Sequence, residues 1–72
     1  MKNTIHIKKE KIILNNGQKL LEVIVTADTK EEIEKVEKAD KHIIDYIKES
    51  TKISVDKLIG QTGLILYFSL KE

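Results

Sequence analysis

The sequence has no cysteine, no arginine, and only three aromatic side chains, Tyr46, Tyr67 and Phe68. Without cysteine there is no disulfide framework, no thiolate nucleophile and no cysteine-based zinc site, which argues against a small secreted scaffold. Without arginine, recognition by a bidentate fork to phosphate or guanine is disfavoured, because lysine offers a point charge instead. Three aromatics leave few platforms on which bases could stack. No apolar run approaches the roughly 18 residues of a membrane span. The opening Met1-Lys2-Asn3-Thr4-Ile5-His6 leads into alternating polar and apolar positions, unlike a signal peptide. The expectation is a cytoplasmic protein with no membrane association.

What is present suffices for one domain. The 72 residues are 40% apolar and 35% charged, too rich in core material for a disordered tail. The length sits at the edge of what a single core stabilises, so residues 1–72 are read as one α+β domain. Twelve Ile against four Val, with Lys wholly replacing Arg, is the bias of an AT-rich coding sequence, which points to a low-GC bacterium or its phage; small chains without cofactor motifs are common there among accessory and inhibitor proteins. The net charge of +1 is unevenly spread. Residues 1–27 hold five Lys and two Glu, residues 28–50 hold five Lys and eight acids, and residues 51–72 hold three Lys and two acids. A basic first segment thus faces an acidic middle.

Residues 4–14 and 19–27 read as strands, joined at Asn16-Gly17 by a type I′ turn signal. That turn sets Lys11 opposite Glu22 and Ile12 opposite Leu21. Followed outward, the same register puts Ile5 and Ile7 on the wrong face relative to Val25 and Ala27. One extra residue within Lys8-Lys9-Glu10-Lys11 restores the alternation, which predicts a β-bulge there.

From Asp28 the period becomes helical, with capping-box spacing in both Asp28…Glu31 and Thr29…Glu32. One amphipathic helix is expected over about residues 29–50, with Ile33, Val36, Ala39, Ile43, Ile44, Tyr46 and Ile47 on its apolar arc. Glu31 with Lys35, Glu34 with Lys38 and Glu37 with Lys41 have i,i+4 spacing, which explains the charge run without any function. Asp40 falls inside the apolar arc. A buried carboxylate there costs several kcal/mol unless paired, so it is either a ligand or interface anchor, or it sits where the stripe reaches solvent. The second reading is the expected one.

Ser54 is positioned to cap a short helical turn over about residues 54–59, with an extended Ile53-Ser54-Val55 as the alternative. Gly60-Gln61-Thr62-Gly63 reads as a loop and residues 64–70 as a final strand. The expected fold is a small ββα(α)β two-layer α+β domain, a three-stranded, mainly antiparallel sheet with one long amphipathic helix on one face.

Few residues suggest chemistry. His6 alternates against Ile5 and Ile7, and His42 lies on the polar side of the helix, so neither is expected to bind metal. Ser50, Ser54 and Ser69 are distant from any positioned base, and no cofactor motif occurs. A non-enzymatic protein is expected, with no cofactor. The stretch Leu58 to Gly63 resembles, over six residues, the G-x-x-G loop with which KH domains clamp a nucleic-acid backbone. Gln61 and Thr62 are neutral, however, and a strand follows in place of the KH helix. Two glycines flanking a turn account for the same residues.

Two surfaces could recognise a macromolecule. Ile12, Leu14, Leu21, Val23, Val25 and Ala27 share the sheet face that the helix should cover. Ile13, Leu20 and Ile24 share the other face, where Ile65 and Tyr67 join them. One helix cannot cover both faces, so this second set is the candidate protein interface, through which an accessory or inhibitor protein would homodimerise or bind a protein partner. The alternative is a nucleic-acid-binding protein using Lys8, Lys9, Lys11 and Lys19 with the Gly60–Gly63 loop. Lysines protecting an edge strand from sheet-to-sheet pairing explain the same four residues.

Overall fold

The computed structural model describes residues 4–71; Lys2, one of the basic residues of the first segment, lies outside them. The elements are β1 (Ile5–Asn15), β2 (Gln18–Ala27), α1 (Lys30–Glu37), α2 (Lys41–Ser50), β3 (Val55–Thr62) and β4 (Ile65–Leu70). They form an α+β fold with a single antiparallel sheet of four strands in the order β1-β2-β4-β3. Two short helices cover one face of that sheet. The expected third strand and single long helix are therefore a fourth strand and a broken helix.

The first hairpin follows its turn chemistry. Asn16 and Gly17 both take positive φ, 52° and 80°, as a type I′ turn requires. Lys11 lies opposite Glu22 and Ile12 opposite Leu21, and the register shifts between Ile7 and Lys9. The expected bulge is thus present at Lys8. It returns Ile5 and Ile7 to the face of Val25 and Ala27, where they pack on the core.

The helical stretch breaks at residues 38–40, and the backbone hydrogen bonds explain how. The Ala39 N–H donates to the Val36 carbonyl and the Asp40 N–H to the Lys35 carbonyl, the paired bonds of a Schellman motif. Ala39 holds its left-handed position at φ 55°, where glycine is the usual residue. Asp40 then becomes the N-cap of α2, its carboxylate accepting from the His42 and Ile43 N–H groups at 3.0 and 3.4 Å. Asp40 is therefore a cap, neither a ligand nor a polar intrusion at the margin of a continuous stripe. Within α1, Lys35 pairs with Glu32 in place of the expected Glu31, and Lys41, separated from Glu37 by the break, pairs with Asp45.

Residues 55–59 are extended, and the expected helical turn over 54–59 does not form. The register between β3 and β4 shifts twice, between Val55 and Leu58 and between Leu58 and Gly60. Gly60 to Thr62 belong to β3, so the expected Gly60–Gly63 loop shrinks to Gly63-Leu64, with Gly63 at φ 59°. A two-residue turn with glycine first matches a type II′ hairpin.

The core lies between the helices and one sheet face. Leu21, Val23, Val25, Leu66 and Phe68 from the two central strands meet Val36, Ile44 and Ile47 from the helices, with Ile5 and Val55 closing the sides. Each such side chain contributes roughly 1.5–3 kcal/mol on burial. The Glu10 carboxylate accepts from the Lys52 N–H at 3.0 Å, fastening the chain that leaves α2 to β1. Beyond that point the first hairpin has no helix over it.

Candidate protein-interaction surface

The helix-free face collects apolar side chains from β1, β2 and β4, with Ile59 of β3 at its side. Ile13 lies opposite Leu20, and Leu20 opposite Ser69. Ile24 lies opposite Ile65, and Glu22 lies between Lys11 and Tyr67. Directly opposed residues in an antiparallel pair share a face, so Ile13, Leu20, Ile24, Ile65 and Tyr67 stand together on the side away from the helices. Leu20 is only 3% exposed although no helix covers it. It forms the floor of an open groove of about 350 Å³ whose sides are Ile13 on β1 and Ile59 and Gly60 on β3, with Tyr67 beside it. Gly60 lies against Tyr67, and a Cβ there would sit in ordinary van der Waals contact, 3.8 Å from the ring. Bulges in both outer strands add twist, consistent with flanks that rise around Leu20.

Lys9, Lys11 and Glu22 are charged residues of this face. Lys11 Nζ is 3.9 Å from Glu22 Oε1, with the Glu22 side chain largely covered. Partial burial, and then the Glu22 carboxylate, raise the Tyr67 phenol above its ordinary pKa of 10.0. The neutral hydroxyl is thus the form that this face favours.

Three large apolar side chains outside the core are well exposed: Ile12 at 49%, Leu14 at 70% and Ile59 at 44%. Ile12 and Leu14 were expected beneath the helix. They do point to the helix side of the sheet, since Ile12 opposes the buried Leu21, but the broken, shortened helical layer stops before reaching them. The run Ile12-Ile13-Leu14 beside the turn puts apolar groups on both faces of the strand, but which of them stay uncovered depends on the reach of the helical layer.

The four lysines do not converge. Lys9 and Lys11 oppose Ile24 and Glu22 on the helix-free face, Lys8 sits in the bulge, and Lys19 opposes Leu14 on the other face. Lys19 instead joins Lys57, Lys71 and Asp56 around an open depression of about 930 Å³ at the end of the sheet. His6 is exposed, with Nε2 3.2 Å from each Asp28 carboxylate oxygen, and His42 is exposed on α2. Among the described residues, no group of three or more His, Asp or Glu is placed to hold a metal ion. Nor is any helix among them long and apolar enough to cross a membrane.

The fold and this surface define a two-layer α+β domain with one open sheet face. Compared with protein families, curated proteins and solved structures, the chain matches none significantly. The functional reading therefore rests on the geometry.

Proposed function

We propose that the protein is a non-enzymatic protein-interaction module that works by contact with another protein chain, in the first instance a second copy of itself. The observation that carries this reading is the apolar surface left outside the core at the end of the first hairpin. There the groove of Ile13, Leu20, Ile59 and Tyr67 adjoins the uncovered Ile12 and Leu14. Exposed apolar patches of this kind mark interaction sites in soluble proteins. A second copy would also enlarge a core that is small for 72 residues. Sedimentation at micromolar to submillimolar concentration tests the reading. A reversible species heavier than the 8.3 kDa chain supports it, and an 8.3 kDa species throughout overturns it.

A nucleic-acid reading has one observation in its favour, the Lys19, Lys57 and Lys71 side chains around the open depression. Titration with duplex and single-stranded nucleic acid at two salt concentrations tests it, since Lys-phosphate binding strengthens steeply as salt falls. No binding at low salt removes it.

A further inference from the structure

We infer that the free edge of β1 at the hairpin end pairs antiparallel with β1 of a second copy, about a two-fold axis through Ile13. This inference rests on the interaction-module reading and names its partner and its contact.

The first observation concerns backbone groups. The Val25 N–H donates to the Leu64 carbonyl at 3.1 Å, so Val25 turns its N–H toward the β4 side of the sheet. Alternation along β2 then turns Leu21 and Lys19 the same way and leaves Leu20 to bond β1. Ile13, opposite Leu20, is consequently bonded inward, whereas Ile12 and Leu14, opposite Leu21 and Lys19, direct their N–H and C=O groups to the open edge. These two residues also carry the most exposed apolar side chains of the described chain, at 49% and 70%.

The second observation is an asymmetry within one strand. The first half of β1 has the devices that keep an edge from pairing: a bulge at Lys8, and Lys8, Lys9 and Lys11 in close succession. Its second half, Ile12-Ile13-Leu14, has none. An apolar edge with free backbone groups is a template for another strand.

The register follows from self-complementarity. A two-fold at Lys11 would oppose two lysines, which is destabilising. A two-fold at Ile12 would set Leu14 against Glu10 of the second copy. A two-fold at Ile13 sets Ile12 against the second copy's Leu14, and Leu14 against its Ile12, in the two positions whose backbone groups point outward. The two Ile13 side chains then meet on the helix-free face. Because the axis stands perpendicular to the sheet, both helix-free faces lie on the same side of a joined sheet.

The chain's lack of cysteine allows a direct test on the full-length protein. Ile13→Cys places two thiols in a non-hydrogen-bonded antiparallel pair, with Cα atoms about 4.5 Å apart, inside the range a disulfide spans. Mild oxidation is expected to give a disulfide dimer with Ile13→Cys, and little with Ile24→Cys, which sits on β2 of the same face. Adding Leu14→Pro to Ile13→Cys is expected to abolish the cross-link and leave the circular dichroism unchanged, since β2 does not use the Leu14 N–H. Cross-linking of Ile24→Cys as fast as Ile13→Cys, or persistence of the cross-link with Leu14→Pro, overturns the edge pairing. If the unmodified protein self-associates but Ile13→Cys fails to cross-link, the register is wrong and the module reading stands. If it never self-associates, both fail.

Discussion

Gln61 on β3 donates from Nε2 to the carbonyl oxygen of Val36 on α1 at 2.6 Å, closing the end of the helix from the sheet below it. The same amide reaches the Gly63 carbonyl at 2.9 Å and the Glu37 carbonyl at 3.3 Å. One side chain thus satisfies acceptors where α1 stops and where β3 turns into β4. Gln61→Ala is expected to destabilise the protein by about 0.5–1.5 kcal/mol, the net worth of a lost hydrogen bond, because the Val36 carbonyl keeps the Ala39 N–H and the other two acceptors are exposed. Gln61→Glu should lose at least as much at neutral pH, since a carboxylate cannot donate and adds negative charge at the negative end of a helix. Urea unfolding measures both, and a Glu variant as stable as the parent contradicts the capping role.

Ala39→Gly separates a broken helix from a continuous one by the sign of its effect. In the left-handed position at φ 55°, glycine removes strain and should stabilise by about 0.5–1 kcal/mol. Inside a continuous helix the same substitution would destabilise by about as much. The shift in urea midpoint decides between them.

Asp40→Ala is expected to cost about 0.5–2 kcal/mol through loss of the α2 cap, while Asp40→Ser should retain most of the stability because a hydroxyl also caps. Equal losses from both variants would mean that the carboxylate acts in some other way.

Much of this architecture was legible in particular residues. Asn16-Gly17 set the hairpin register, and the misfit of Ile5 and Ile7 against Val25 and Ala27 confined the bulge to Lys8–Lys11, where it falls at Lys8. The helix break was hidden because an alanine holds the position that glycine usually marks. Its only trace was Asp40, a polar residue inside an apolar arc that is in fact a cap. β3 was hidden for a different reason. Its two bulges space the inward residues Val55, Leu58 and Gln61 three apart, which imitates a helical period. Strand alternation puts Ile13, Leu20 and Ile24 on one face, and Ile65 and Tyr67 join them through the β2–β4 pairing, which alternation leaves open. The exposure of Ile12 and Leu14 does not follow from alternation, since it depends on how far the helical layer extends.

Tyr67 makes stability sensitive to alkaline pH. Its folded pKa is raised, chiefly by partial burial and then by Glu22, so folding favours the neutral phenol. That contribution is fully present below the unfolded pKa of about 10 and is lost as pH rises through the folded value. Tyr67→Phe should therefore show a smaller loss of stability than the parent between pH 8 and pH 11. Parallel pH profiles for the two proteins would contradict this environment for the phenol.

Hydrogen exchange at the Ile12 and Leu14 amides of the unmodified protein reads out whether a second copy covers the hairpin end. Both N–H groups point away from β2, so in an isolated chain they are open to water. Pairing with a second copy protects them in concentrated solution and releases them on dilution, while the Ile13 amide stays protected throughout. Fast exchange at Ile12 and Leu14 at every concentration would contradict it.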